Sequence, residues 1–214
     1  MEVFPMDLSL QHPALLLTDR RTLMGSLACA VAVGSTAFAA DAVGSVESSI
    51  GDANAEALGV RRSLVTGADI FVGDLISTSD TARLIMLLGS ATRVHLGASV
   101  RLRVDKFLAE TGGELRFDSG PLVIDRDERS PPMNLRVHSP FGVIALRGTR
   151  FFAGPSNGVF GVFVERGVVD FTAGGATVRL TAGEGSDVRQ PGDKPTAPRL
   201  WASQRAVDAL RSAY

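Results

Sequence analysis

Cysteine is nearly absent: the 214 residues contain one, Cys29. A single thiol cannot build a disulfide framework or a thiolate zinc site. Lysine is scarce too, with Lys106 and Lys194 among 22 basic residues. Tryptophan and tyrosine occur once each, as Trp201 and Tyr214. The net charge of −1 leaves no basic field to attract nucleic acid. No glycine turn carries the Lys-Ser/Thr of a phosphate cradle, and no nucleophile elbow occurs. His95 and His138 have no partners at the spacing a metal site requires. No catalytic residue, metal site or cofactor is therefore expected. What is present is an ordinary globular composition, 45% hydrophobic and 21% charged, which excludes wholesale disorder and a multi-span membrane protein. The 23 glycines and 10 prolines call for frequent turns.

The N-terminus reads as a targeting segment. Arg20-Arg21 precede an uncharged run of small and apolar residues, Leu23 to Phe38, and Ala37-Phe38-Ala39 supplies small residues at the two positions a signal peptidase reads. That order predicts a twin-arginine (Tat) export signal over residues 1–39, cut after Ala39, and a periplasmic mature chain. The alternative is a retained membrane anchor. A spanning helix needs about 20 apolar residues, and this stretch reaches that only if Gly25, Ser26, Gly34, Ser35 and Thr36 are counted. Ser26 stands where a lipobox has leucine, which argues against lipidation at Cys29. Without residues 1–39 the chain holds 20 bases and 20 acids and no cysteine, so it must be stabilised by its core alone.

Residues 40–57 have weak patterning and read as a leader, with a first strand over 43–50. From Val60 onward short runs of Val, Ile, Leu and Phe are broken by Gly, Asp, Ser and Pro every few residues, too closely for helices of ordinary length. Val94, Leu96, Val100, Leu102 and Val104 take every second position. So do Phe160, Val162 and Val164, and Val169 and Phe171. Period two means sheets covered on one face. The continuous run Leu84–Leu88 suits a central strand buried on both faces. The 11 phenylalanines are expected to fill an inter-sheet core. Pro191, Pro195 and Pro198 mark a stiff linker before a helix from Ala202 to Ser212. Ser203 would cap that helix. Ala206, Val207, Leu210 and Ala213 would lie on one side, with Trp201 packing it onto the sheets. It would cover an open sheet end or dock a partner. The expectation is an all-β fold of many short strands, a two-layer or solenoid-like β-roll with a short C-terminal helix. The β domain spans 58–190, and linker and helix 191–214.

Five blocks, in order, resemble the FecR-domain family. They are Leu64–Thr78 (LVTGADIFVGDLIST), Ala82–Val94 (ARLIMLLGSATRV), Val137–Phe151 (VHSPFGVIALRGTRF), Val162–Asp170 (VFVERGVVD) and Leu180–Glu184 (LTAGE). Leu88 and Ser139 depart from the usual residues. The resemblance implies a periplasmic protein-interaction or signalling module. In the family's regulators this domain is thought to hear an outer-membrane receptor and signal across the inner membrane to a sigma factor. The roughly 20 residues before the apolar segment are too few for a cytoplasmic anti-sigma domain, so direct sigma control is not expected. An envelope protein partner, receptor or regulator, is expected, and the alternative is a glycan-binding or structural matrix protein of the cell envelope. Within the blocks, Gly67, Gly73, Gly148, Gly167 and Gly183 suit turns with positive φ. Asp69 and Asp74 can bond turn amides, and Thr78 and Thr149 can cap strand ends.

Two further groups invite a functional role. Arg93, His95, Arg101 and Arg103 would form one polar, anion-binding face if their strands lie side by side. Asp118, Asp125, Asp127 and Glu128 cluster around turns, where paired carboxylates could act on glycosides, although solvated loop acids explain them as well.

Overall fold

Apolar residues at every second position make strands here. The computed structural model describes residues 41–214 apart from 109–110, 128 and 132. The twin-arginine segment and its cut site lie outside the described residues. Those residues form sixteen strands and one helix: β1 (Ala42–Ile50), β2 (Ala53–Ala57), β3 (Val60–Ser63), β4 (Asp69–Phe71), β5 (Leu75–Thr78), β6 (Arg83–Leu88), β7 (Thr92–Leu96), β8 (Arg101–Leu108), β9 (Gly112–Ser119), β10 (Leu122–Arg126), β11 (Asn134–Ser139), β12 (Gly142–Ser156), β13 (Val159–Ala173), β14 (Ala176–Thr181), β15 (Glu184–Val188), β16 (Arg199–Leu200) and α1 (Ser203–Ser212).

The strands join in one sheet, folded over by the long hairpin of β12 and β13. The first half of β12 pairs with β11 and the second half with β10. The first half of β13 pairs with β15 and the second half with β14. Between these halves the register slips from Arg147 to Phe151. Gly148 and Gly167 adopt φ of +61° and +87° there, in the region L side chains avoid. A Cβ on Gly167 would also stand 2.6 Å from Cγ2 of Thr149. The bend yields two layers. One runs β3-β2-β5-β8-β9-β11 and continues through the hairpin to β14. The other runs β4-β1-β6-β7-β10 and continues to β15 and β16. All pairs are antiparallel except β9 with β11. The all-β fold is as expected, and because the chain keeps alternating between layers, the two-layer form of the β-roll is the one found rather than the solenoid-like one.

The core lies between the layers. Phe160, from the second layer, stacks on Phe141 at 4.5 Å between ring centroids and meets Phe117 and Phe171 of the first layer at 6.3 Å each. Leu84, Met86 and Leu88 point inward and are fully buried, whereas Ile85 and Leu87 are half-buried. So β6 is an interior strand with one buried face, not two. The strand expected over 43–50 is β1, while the reading of the rest of 40–57 as a leader is corrected. Residues 42–50 and 53–57 are strands, β1 lies between β4 and β6, and Val46, Ala53 and Ala55 enter the core. Small residues hid that role, since a buried alanine adds little to a hydropathy pattern.

Opposite the hairpin, the two end strands meet through a side chain. Arg62 on β3 donates to the Asp69 carbonyl on β4 at 2.6 Å, pairs with the buried Asp74 and lies 5.0 Å over the Phe71 ring. A guanidinium therefore occupies the place of a missing strand.

The helix lies across the outer face of the second layer, so it covers a face rather than a sheet end. Trp201, Ala206, Ala209, Leu210 and Ala213 pack with Val123, Phe152 and Phe163. Phe152 and Phe163 thus serve this outer cluster, not the inter-sheet core. Val207 is exposed, and the helix starts from Ala202 without a side-chain cap, so Ser203 is not the N-cap. The indole sits on Gly161 and Gly185, where a Cβ at Gly161 would stand 2.7 Å from the ring. Arg205 stacks over the indole at 3.6 Å and forms an ion pair at 2.6 Å with the buried Asp187, which also pairs with Arg199. Thr196 fixes the proline-rich segment by donating its amide to the Asp187 carbonyl at 3.0 Å. Among the described residues no helix is long and apolar enough to cross a membrane.

Candidate interaction surface

The residues of the sequence blocks sit at corners. Gly67, Gly73 and Gly183 have φ of +86°, +93° and +85°. A carboxylate oxygen of Asp74 accepts the amide of Phe71, three residues earlier, at 2.8 Å and so closes the corner between β4 and β5, while no side-chain bond to a turn amide is found for Asp69 among the described residues. The buried Thr78 hydroxyl donates to the Gly97 carbonyl at 2.7 Å and accepts the Val100 amide at 2.9 Å, joining two corners. Thr149 is fully buried beside the bend, and its hydroxyl has no hydrogen-bond partner among the described residues.

Arg93, His95, Arg101 and Arg103 do not share a face. Arg93 and His95 are on β7, whose outward residues lie on the helix-covered side. Arg101 and Arg103 are on β8 and face out from the other layer. The sequence interval between them crosses from one layer to the other at Gly97–Val100, which one-dimensional alternation does not reveal. Arg93 is paired with Glu47 at 2.9 Å. His95 is buried against Tyr214, with ring centroids 4.4 Å apart.

The charges of the covered side neutralise one another. Asp125 holds Arg150 at 3.1 Å and Arg166 at 2.9 Å, and Arg150 also pairs with Glu165 at 2.5 Å and donates to the Tyr214 hydroxyl at 2.7 Å. Asp127 accepts the Arg129 amide at 2.9 Å in a local turn. Asp118 is on β9, in the other layer, so it does not form a carboxylate pair with Asp125. Glu128 lies outside the described residues. Among the described residues no three His, Cys, Asp or Glu side chains gather as a metal site would need.

Burial and the nearby Arg150 charge hold the His95 pKa below its ordinary value, while Tyr214, also desolvated, is pushed up. The unfolded chain therefore takes up a proton at His95 before the folded chain does. Stability is expected to fall as pH drops below about 6.5 and on through the lowered folded value. Thermal melts from pH 7.5 to 5.5, above most carboxylate titration, should show a smaller loss of Tm for His95→Gln than for the wild type. Equal slopes would mean that His95 is not the group involved.

The outer face of the first layer has no such cover. Across neighbouring strands Arg103 faces Arg116, and Arg116 faces His138. Asp105 approaches Arg116 at 3.1 Å and Arg103 at 4.0 Å. Arg101 and Arg136 extend the same surface and are exposed, with no carboxylate within ion-pair distance among the described residues. Beside them is a shallow cleft of about 570 Å³ lined by Asn134, Arg136, Ala145, Val168, Asp170 and Arg179. Arg179 grips Asp170 through two bonds of 2.8 and 3.0 Å, which holds the Asp170 pKa below the usual carboxylate range. The layer ends at β14, whose strand pairing is with β13 alone. Sequence reasoning found Arg101 and Arg103 but missed Arg116 and Arg136, because their proximity depends on the β8-β9-β11 pairing. The alternation of charged and apolar residues around them was the available signal.

Residues 74–170 match the family model described as FecR protein. Two crystal structures of a candidate anti-sigma factor from Parabacteroides distasonis ATCC 8503 share the fold, each with a TM-score of 0.51 and 17% identity. The match covers 64% of this chain, and 63% and 64% of those chains, so it spans less than two thirds of their length. At that identity the likeness carries the fold alone. No curated protein matches the sequence.

Proposed function

We propose that this chain is an exported, non-catalytic FecR-domain module that acts in the periplasm by binding another protein of the cell envelope, as part of a signalling or regulatory assembly. One observation supports this above the rest. The outer face of one layer is sealed by α1, whereas the other outer face is open, charged and bounded by the free edge of β14. An unpaired edge offers main-chain donors and acceptors to an incoming strand. The anti-sigma description of the structural relative agrees with a regulatory role. A glycan-binding or matrix role is less well supported, because among the described residues the open face presents no exposed aromatic ring on which a sugar could stack.

The test is in-cell crosslinking from a photoreactive residue at Thr177 on β14, with Val207 on α1 as the comparison position. A receptor or inner-membrane regulator captured from position 177 and not from 207 would support the proposal. Capture of outer-envelope structural proteins or glycan alone would replace it with the matrix role.

Export has its own expected result. Replacing Arg20 and Arg21 together with lysine should leave an uncut precursor in the cytoplasm, visible as a larger band in fractionated cells. Normal processing of that variant would remove the twin-arginine route.

A further inference from the structure

We propose that Arg101, Arg103, Arg116 and Arg136 form a docking strip for an extended acidic segment of a protein partner. The inference rests on the protein-binding role proposed above and names the chemistry of the surface. Several arginines elsewhere in the molecule are neutralised by carboxylates. Arg62 has Asp74, Arg93 has Glu47, Arg150 has Asp125 and Glu165, Arg179 has Asp170, and Arg199 and Arg205 share Asp187. In the strip, Arg101 and Arg136 have no carboxylate within ion-pair distance among the described residues, and Arg103 and Arg116 share a single one. Arg103 and Arg116 stand directly opposite each other across β8 and β9, next to His138 on β11, with Asp105 as their shared carboxylate. Like charges in cross-strand register destabilise a sheet. A local arrangement that works against the fold is where function is to be sought.

The geometry fits a peptide. Arg101 and Arg103 are two residues apart on one strand, a rise of about 7 Å, and same-side carboxylates of an extended peptide repeat at the same interval. The guanidinium fork can hold each carboxylate through two bonds. Asp105, Glu114 and Asp118 interrupt the strip. They would oppose a uniformly anionic membrane surface, whereas a segment with spaced carboxylates can leave gaps at those positions.

The probe is a short fluorescent peptide of alternating glutamate and threonine, followed by anisotropy with the purified protein. Saturable binding is expected, weakening as salt rises from about 50 to about 200 mM. Arg103→Ser with Arg116→Ser should weaken it about tenfold, the sum of two exposed charge contacts. Arg189→Ser, which removes an exposed base outside the strip and the cleft, should bind as the wild type does. Thermal melts of each variant check folding. If the double variant does not fold, Arg103→Ser and Arg136→Ser singly should each weaken binding. No saturable binding, or equal binding by the strip variants, overturns the proposal. So does binding to phosphatidylglycerol vesicles or heparin without binding to the peptide. A partner crosslinked at position 177 together with a negative peptide result would sink the strip and leave the protein-binding role standing. Loss of the crosslinked partner would remove that role itself.

Discussion

Trp201→Ala is expected to release the C-terminal helix while leaving the two-layer roll folded. The indole fills a trough floored by Gly161 and Gly185, contacts Phe163 at 5.2 Å and Phe152 at 6.4 Å between centroids, and carries Arg205 on its face. No neighbouring side chain can collapse into so large a space, so the loss should be about 3–5 kcal/mol. The affected cluster is the outer one, separate from the inter-layer core. Urea unfolding should therefore show a lower midpoint or an added early transition. Proteolysis should cut between Leu200 and Tyr214, and a dye that binds exposed apolar surface should report Val123, Phe152 and Phe163. A variant that melts in a single step with α1 still protected would show that Asp187 and Arg205 hold the helix without the indole.

Phe160→Ala should act on the whole domain. Its ring touches Phe141, Phe117 and Phe171, and so joins the layers across the fold. It is 5% exposed, and truncation leaves a cavity between two sheets that cannot approach each other without breaking the β12–β13 hairpin. A loss of about 3–5 kcal/mol is expected. That is a large share of the roughly 5–15 kcal/mol available to a domain. Denaturation should remain a single transition at a lower midpoint. Hydrogen exchange should quicken together in β9 and β13, because both lean on the same ring. Faster exchange in β13 alone would show that the layers are joined mainly elsewhere.

The contrast between these two residues shows what kind of information each level holds. Phe160 was legible as an inward position because Phe160, Val162 and Val164 alternate with Gly161, Phe163 and Glu165. That same alternation placed Phe163 on the opposite face but could not say what covers it. The covering partner lies 38 residues further along the chain, and only packing brings it there. His95 illustrates the same limit. Its position between Val94 and Leu96 correctly set it on the outer side of β7, but its burial depends on Tyr214 at the end of the chain. Arg62 and Asp74 gave no sign of their partnership, since no period links a residue on β3 to a corner before β5.

Local chemistry settled much of this protein before any coordinates. Alternating apolar residues determined that it is all-β, glycines at positive φ determined where strands turn, and the ordered blocks carried the FecR-domain resemblance, which a family model also finds over residues 74–170. These features depend on neighbours within a few residues, where steric exclusion and side-chain direction act directly. The tertiary structure alone decided which outward faces are covered. It separated Arg93 from Arg101, sealed one layer with α1, and set Arg103 beside Arg116 on the other. The reason is physical: pairing between distant strands and docking of a terminal helix depend on the total buried surface of the folded chain. No local stretch of sequence contains that quantity.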